Sequence, residues 1–208
     1  MDRIVKYPDS VILVFAKAPV AGQVNTRLVP FISAEEAADL HEEFTRDRLQ
    51  MCTAAKLCDV QLWCCPDTSH RLFSDCSRLF DITLHKQDGA DLGARISNAI
   101  THLLGAYKKI VVIGTDAPAL DSKIIADVIR QLNDRDVVLV PAEDGGYVLL
   151  GVTTYHENIL ASVPWGSGQV LSRTVANIES LGLKYELLDE CWDVDRPEDL
   201  QRYFELKM

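Results

Sequence analysis

The sequence lacks the features that define several protein classes, and each absence narrows its function. Its 208 residues include 21 Lys and Arg against 31 Asp and Glu, which gives a formal net charge of -10 at pH 7. Because no run of basic residues occurs, the chain offers no stripe of positive charge for nucleic acid. It has neither an apolar run of membrane-spanning length nor an apolar signal segment at its start. We therefore expect a cytoplasmic protein with no nucleic-acid or membrane partner.

The cysteine and histidine patterns exclude further classes of site. There is no C-x-x-C pair and no Cys/His spacing typical of zinc, so we expect buried reduced thiols, with a regulatory disulfide as the alternative. The sequence also lacks a Walker loop, a G-x-G-x-x-G fingerprint and a G-x-S-x-G elbow. Its five histidines show no nucleophile–base spacing. A hydrolytic triad therefore has no support.

What the sequence does contain is an alternation of predicted strands and helices. The length suits one domain over residues 1–208, with no linker composition inside it. Apolar runs predict strands at 11–15, 59–65, 82–85, 109–114, 136–140, 147–152 and 184–188. Amphipathic spacing and capping residues predict helices near 34–56, 70–80, 92–105, 121–132 and 169–181, and a short last helix after 195. This order predicts a three-layer α/β/α domain with a mostly parallel sheet.

The loop after the first predicted strand contains groups that suit a phosphate. Lys17 and Arg27 supply two positive charges, and the chain between them offers N–H groups at Gly22, Gln23 and Asn25. Taken alone, such a loop is more typical of solvated charges around a turn. Because ligands collect at the carboxyl ends of parallel strands, the other loops at this edge reverse that preference and favour phosphate binding.

Asp116 is the first of these further loop residues. It follows the predicted strand at 109–114, and the next helix is already capped by Asp121 and Ser122, so nothing local needs its charge. Carboxylate oxygens suit Mg²⁺ or Mn²⁺, which bind one or two carboxylates and complete their shells with water and phosphate oxygens. We therefore predict that Asp116 is a metal ligand.

The second metal ligand is less clearly defined by the sequence. Asp195 follows the last predicted strand and is our candidate. With Glu198 it also fits a capping box, so ligand and helix cap are equally supported. Asp193, two residues earlier, competes for the same role, and the sequence leaves the choice open.

Two more segments suggest contacts to a substrate. Asp144-Gly145-Gly146 exposes backbone that a ring or a pyrophosphate can approach closely, although Asp-Gly between strands is also a strong hairpin signal. Trp165 offers a surface on which a sugar or base can stack. A buried hydrophobic anchor is the commoner role of tryptophan.

Six segments together resemble a known family. They are FAKAPVAGQVNTRL, GADLGARISNAI, VVIGTDAPAL, VPAEDGGYVLLG, PWGSGQVL and DVDRPEDL, and they extend over nearly the whole chain. In this order they resemble the DUF2064 family of bacterial transferases. That family belongs to the nucleotide-diphospho-sugar transferase superfamily, which has a GT-A-like fold and includes the related guanylyltransferases of molybdopterin and coenzyme F420 synthesis.

The resemblance implies roles for individual residues. Lys17, Arg27 and Asp116 would carry catalysis, and Asp116 and Asp195 would bind Mg²⁺ or Mn²⁺. The residues implied for the nucleotide are Ala16, Lys17, Gly22, Asn25, Arg27, Gly89 and Thr115. Those implied for the acceptor or sugar are Asp144, Gly145, Gly146 and Trp165.

The implied reaction is nucleotidyl transfer from an NTP to a small phosphorylated or sugar-like acceptor by a monomer or homodimer. The family usually has lysines where this chain has Gln23 and Asn25, which favours a less charged NDP-sugar donor and hence glycosyl transfer. The single Asp116, without a D-x-D at that position, favours nucleotidyl transfer. A nucleotide-binding module without turnover is the third hypothesis.

Overall fold

The computed structural model describes residues 4–207, and its strands form one seven-stranded sheet. The strands are β1 (Ser10–Lys17), β2 (Asp59–Cys65), β3 (Thr83–Lys86), β4 (Lys109–Ile113), β5 (Val137–Pro141), β6 (Tyr147–Val152) and β7 (Tyr185–Leu187). The helices are α1 (Ala34–Ala54), α2 (Arg71–Phe80), α3 (Leu92–Leu103), α4 (Ser122–Gln131), α5 (Val170–Ser180) and α6 (Pro197–Lys207). A short 3-10 helix, Glu157–Leu160, was not predicted.

The strand order is β3-β2-β1-β4-β6-β5-β7, and β6 alone among these strands is antiparallel to its neighbours. β1 pairs in parallel with both β2 and β4, so the carboxyl ends of these strands meet at one edge. β5 and β6 form a hairpin. The predicted α/β fold with a mostly parallel sheet is confirmed.

Helices cover both faces of the sheet, as a three-layer domain requires. On β1, Ile12 and Val14 join the core that contains α1, α2 and α4, whereas Val11 and Leu13 join the core beneath α3 and α5. Apolar residues therefore alternate between two buried faces along one strand, which explains why the run reads as continuously apolar.

A smaller apolar cluster fixes the segment after β7 against the rest of the protein. It brings together Leu28 of the loop after β1, Phe44 of α1 and Tyr203 of α6. Trp192 and Val194, from the segment between β7 and α6, belong to the same cluster. Since Val194 is held in this cluster, its neighbours Asp193 and Asp195 are held at the same edge of the sheet as the loop after β1.

The six cysteines are free thiols, and five of them are buried as predicted. The exception is Cys65 at the end of β2, which is half-buried. Burial raises the pKa of Cys52 and of Cys64 to about 12, so both stay protonated at neutral pH. Within residues 4–207, no helix is both long and apolar enough to cross a membrane.

Candidate active site

Two adjoining cavities open at the carboxyl ends of β1 and β4, on either side of Asp116. The first has a volume of about 450 Å³, and we call it the polar cavity because Lys17, Arg27 and Asp195 line it. The second, of about 220 Å³, is the apolar cavity, whose walls include Ile96 and Trp165. Their shared lining residues are Phe15, Leu92, Gly114 and Asp116.

A side-chain hydrogen bond from Asn25 attaches the loop after β1 to α1. Asn25 adopts a left-handed conformation with φ of 48°, and its Nδ2 donates a hydrogen bond to the Ala37 carbonyl at 3.2 Å. Asparagine tolerates this conformation better than most residues. The anchor fixes the chain between Gln23 and Arg27, which lines the cavity.

Arg27 lines the polar cavity with a half-exposed side chain. Its Nη1 donates to the Asp195 carboxylate, and its Nη2 lies 3.4 Å from the Gly166 carbonyl. The two residues that we assigned separately to phosphate and metal are therefore paired with each other. Asp199, rather than Asp195, accepts hydrogen bonds from the N–H groups of Asp195 and Arg196, at 3.1 and 2.7 Å. The capping box considered for Asp195 does not form.

His41 forms part of the polar cavity wall and was not among the predicted site residues. It is only 7% exposed, and its Nε2 lies 3.1 Å from the Lys17 carbonyl oxygen, to which it donates. Its Nδ1 is buried without a hydrogen-bond partner. Burial lowers the pKa of His41, and the nearby Asp116 only partly opposes this effect. A neutral His41 thus holds the backbone at the end of β1.

Arg48, another unpredicted residue, fixes the segment that follows β4. It is 5% exposed, and its guanidinium donates to the carbonyl oxygens of Leu120, at 2.5 Å, and Ala117. The Val194 N–H donates to the Asp116 carbonyl at 2.8 Å. Asp116 is therefore held from two sides, by α1 and by the segment after β7.

His41 and Arg48 belong to one stripe of α1. Together with Ala37, which accepts from Asn25, they are spaced at i, i+4 and i+11, positions that lie on the same face of a helix. The signal that could have revealed them was present: two ionisable residues occur on the buried side of an amphipathic helix.

The carboxylates around Asp116 are close enough to influence one another. Burial raises the pKa of Asp193 to about 7, and the negative charges of Asp116, Asp144 and Asp195 add to the shift. Such repulsion is relieved by a proton or by a cation. Asp193 lines the apolar cavity, whereas Asp195 lines the polar one, so both remain candidate ligands beside Asp116.

These oxygen donors suit Mg²⁺ or Mn²⁺ held jointly with a substrate. Among the described residues, no three His, Cys, Asp or Glu side chains are arranged to hold a metal by themselves. Mg²⁺ typically takes one or two carboxylates and completes its octahedron with water and phosphate oxygens. The donor set around Asp116 fits that kind of ion.

Trp165 joins the apolar cavity from the loop before α5. Its ring packs edge-on against Tyr147, with centroids 6.2 Å apart. A Cβ on Gly93 would lie 2.7 Å from Trp165 Nε1, so Gly93 must be glycine for the indole to seat against α3. The half-buried Trp165 is thus anchored on one side and lines the cavity on the other.

The Asp144-Gly145-Gly146 segment turns between β5 and β6, as the hairpin alternative predicted. At Gly145, with φ of 85°, an added Cβ would lie 2.3 Å from the Gly168 carbonyl oxygen. The close backbone approach that we expected for a substrate is therefore made by the protein itself. Asp144 faces an outer acidic cavity of about 370 Å³, lined by Glu143, Asp144, Asp193, Asp195, Arg196 and Asp199.

The structure brings some of the predicted residues into the two cavities and leaves others outside. Lining the polar cavity are Ala16, Lys17, Asn25, Arg27, Thr115, Asp116 and Asp195. Gly22 and Gly89 do not line it. Gly22, with φ of 75°, makes the turn in which Gln23 N–H donates to the Val20 carbonyl, and Gly89 packs tightly against Ala94 and Arg95. Gly145 and Gly146 likewise line neither of the two cavities beside Asp116.

Gln87 is a further cavity residue that the sequence reasoning missed. It is 6% exposed, and its side-chain nitrogen donates to the carbonyl oxygens of Trp63, at 2.8 Å, and Ala16, at 3.3 Å. It thereby ties the ends of β1 and β2 to the segment after β3. A single glutamine after a short edge strand gives no signal of this role.

Solved structures with this architecture define the class of protein. The structure of a protein from Desulfovibrio desulfuricans G20, provisionally described as a nucleotide-diphospho-sugar transferase, matches with a TM-score of 0.83 and 28% identity over 91% of this chain and 83% of that chain. The 4-diphosphocytidyl-2C-methyl-D-erythritol synthase of Anaerococcus prevotii DSM 20548 matches with a TM-score of 0.61 and 10% identity, over 97% and 99% of the two chains. The protein has the nucleotide-diphospho-sugar transferase fold.

The chain belongs to DUF2064, a family described as uncharacterised proteins conserved in bacteria, which matches residues 48–167. The 2-phospho-L-lactate guanylyltransferase of Methanobrevibacter smithii is 24% identical over 124 residues, which are 60% of this chain and 54% of that protein. The chain thus spans about half the length of this relative. The family match contains Asp116 and Trp165, whereas Lys17, Arg27 and Asp195 lie outside it.

Proposed function

We propose that the protein is a metal-dependent nucleotidyltransferase that binds an NTP in the polar cavity and transfers its nucleotidyl group to a small acceptor in the apolar cavity. The observation that carries this proposal is the position of Asp116, which lines both cavities and so lies where a donor and an acceptor would meet. The guanylyltransferase among the similar proteins supports a transferase with a nucleotide substrate.

In this proposal the chain contributes positioning and charge rather than a nucleophile. Lys17 and Arg27 would contact the phosphates of the donor and offset the negative charge that develops during transfer. Asp116 would hold Mg²⁺ or Mn²⁺, with Asp195 or Asp193 as the second carboxylate. The ion, when bound, would supply further positive charge to the phosphate oxygens. His41 and Arg48 would keep the Lys17 and Asp116 segments at a fixed separation.

Glycosyl transfer from an NDP-sugar is the second candidate function. It is favoured by the small number of cations in the polar cavity, where Gln23 and Asn25 leave Lys17 and Arg27 to neutralise the phosphates. A diphosphate carries less charge than a triphosphate and needs fewer positive groups. The two functions share the cavities and differ in the bond that breaks.

A thermal-shift screen of NTPs and NDP-sugars, each with and without Mg²⁺, tests the proposal. A ligand at about a hundred times its dissociation constant stabilises a protein by about 2.7 kcal/mol, which is visible as several degrees. We expect an NTP to stabilise the wild type only with Mg²⁺, and Asp116→Asn to lose the response. Asp39→Asn, an exposed position on α1, is the control and should respond like the wild type.

A response to NDP-sugars instead of NTPs would select glycosyl transfer. If no nucleotide of either class stabilises the wild type with Mg²⁺, the protein is not a nucleotide-dependent transferase.

A further inference from the structure

The apolar cavity differs from the polar one in the chemistry of its lining. Most of its wall is aromatic or aliphatic, with Phe15, Ile96 and Trp165 facing the space. Its only charged lining groups within residues 4–207 are the carboxylates of Asp116 and Asp193. A molecule that enters therefore meets apolar surface along its body and negative charge at the end next to the polar cavity.

The surroundings of these two carboxylates add negative charge. The outer acidic cavity next to Asp193 is lined by five carboxylate residues and by Arg196. Two of the five, Glu143 and Asp195, form ion pairs with Arg202 and Arg27, whereas Asp144, Asp193 and Asp199 form no ion pair within residues 4–207. One divalent ion shared between Asp116 and the donor phosphates would leave the charge of Asp144 in place. A phosphorylated acid bound there would experience like-charge repulsion from several directions.

The volume of the cavity indicates the size of the apolar body that it can hold. A dry cavity of about 150 Å³ binds benzene, so the 220 Å³ of the apolar cavity admits a single ring or a short branched chain with one functional group. Burial of that body against Ile96 and Trp165 would supply the affinity, since removing apolar surface from water is favourable.

We infer that the acceptor is a small uncharged alcohol with an apolar body, and not a phosphorylated or carboxylic acid. The inference rests on the proposed nucleotidyl transfer and names its acceptor class. In the transfer, the hydroxyl oxygen forms a bond to the α-phosphorus of the NTP. The bond from that phosphorus to the oxygen bridging to the β-phosphate breaks, pyrophosphate leaves with the bonding electrons, and the hydroxyl proton passes to water. The products are a nucleoside monophosphate ester of the alcohol and pyrophosphate.

This acceptor class differs from the one in the name of the similar guanylyltransferase, which is a phosphorylated acid. The inference and the relative therefore predict opposite binding preferences. If the acceptor followed that relative, the phosphorylated member of any matched pair of acceptors would bind better.

Benzyl alcohol and benzyl phosphate form such a matched pair, because they share a ring that fits the cavity and differ in charge. Their binding is measured by calorimetry on the protein saturated with Mg²⁺ and the NTP that responds in the thermal-shift screen. Product formation is followed by mass spectrometry as the nucleoside monophosphate ester. We expect benzyl alcohol to bind at least about tenfold more tightly than benzyl phosphate.

Leu92→Lys provides a variant that should change the preference in a known direction. Leu92 is 42% exposed and lines both cavities, so a lysine there adds a cation at the mouth with little effect on the core. We expect Leu92→Lys to narrow or reverse the ratio between the two probes. Leu92→Gln, of similar size without the charge, should change the ratio less than Leu92→Lys does.

The outcomes separate this inference from the proposed function. If an NTP binds with Mg²⁺ but benzyl phosphate binds as well as the alcohol, or neither probe binds at millimolar concentration, the acceptor class is overturned and the nucleotidyltransferase proposal stands. If no nucleotide binds at all, the proposed function falls and the inference falls with it.

Discussion

The polar and apolar cavities share Asp116 and three other lining residues, yet they are built from different parts of the fold. The cations of the polar cavity, Lys17 and Arg27, belong to the end of β1 and the long loop that follows it. The walls of the apolar cavity, such as Ile96 and Leu150, belong to the hydrophobic core beneath α3 and α5. One cavity is thus made by a loop laid over the sheet, and the other is an opening in the core.

This difference explains how the two cavities can specialise independently. Loop residues are free of sheet packing, so charged side chains can be gathered there at low cost to folding. Core residues must stay apolar to hold the domain together, so a cavity among them recognises mainly shape and apolar surface. Both cavities depend on the segment that carries Asp116. Loss of its anchor, Arg48, should therefore weaken ligand binding in both cavities.

Arg48→Met should produce the largest effect, because it weakens the anchor of the Asp116 segment, which lines both cavities. The change removes the guanidinium donor from the Leu120 and Ala117 carbonyl oxygens, of which Ala117 keeps the Leu120 N–H as a second donor. We expect it to lower the free energy of unfolding by about 2–4 kcal/mol. Urea unfolding measures the loss. Binding of the NTP with Mg²⁺ and of benzyl alcohol should both weaken in the variant under conditions where it remains folded.

Arg46→Met is the matched control on the same helix. Arg46 forms a surface ion pair with Glu42 at 2.7 Å, and its loss should cost about 0.5 kcal/mol or less. Equal losses of unfolding free energy in the two variants would show that the hydrogen bonds of Arg48 stabilise the fold no more than a surface ion pair does.

Lys17→Met should weaken binding in the polar cavity and leave binding in the apolar cavity unchanged. The lysine is exposed, so the fold should keep its stability, while the donor loses one of the two cations that face its phosphates. We expect NTP affinity to fall by about 10–100-fold and benzyl alcohol affinity, measured without nucleotide, to stay unchanged. Lys86→Met, at the exposed end of β3, is the control. An unchanged NTP affinity would remove Lys17 from the phosphate site.

The fold and the polar cavity were largely predictable from the sequence because both follow from local patterns. Each strand and helix has its own apolar period, and the loops after β1 and β4 meet once the sheet is parallel. Lys17, Arg27 and Asp116 therefore converge as predicted. The pairing of Arg27 with Asp195 depends on how the segment after β7 docks on α1, which no local pattern contains.

The positioning residues were not predictable in the same way. His41 and Arg48 act through hydrogen bonds to carbonyl oxygens of distant loops, and a backbone carbonyl leaves no trace in the sequence. Likewise, Gly145 was expected to admit a substrate, but it admits the backbone of Gly168. A glycine shows that something approaches the chain closely and does not show what.

The smallest predicted effect concerns the charge of Asp193 and follows from its pKa of about 7, against an ordinary value of 3.8. Between about pH 4 and pH 7 the folded protein holds a proton at this carboxyl that the unfolded chain has lost. The folded state then binds more protons than the unfolded state, so the free energy of unfolding must fall as pH rises through this window and level off above it. Because Asp193 is partly exposed, we expect this fall to be on the order of 1–2 kcal/mol.

Urea unfolding of chelator-treated protein at pH 5 and pH 8 measures that fall, and Asp193→Asn should remove it, whereas Asp39→Asn should keep it. His41 titrates in the opposite sense, since its lowered pKa destabilises the fold at acid pH, but it is common to all three proteins and cancels in their differences. A fall of equal size in the wild type and Asp193→Asn would show that neither burial nor the carboxylates of Asp116, Asp144 and Asp195 raise the pKa of Asp193. The charge contrast between the polar cavity and the acidic end of the apolar cavity would then be weaker than the structure implies.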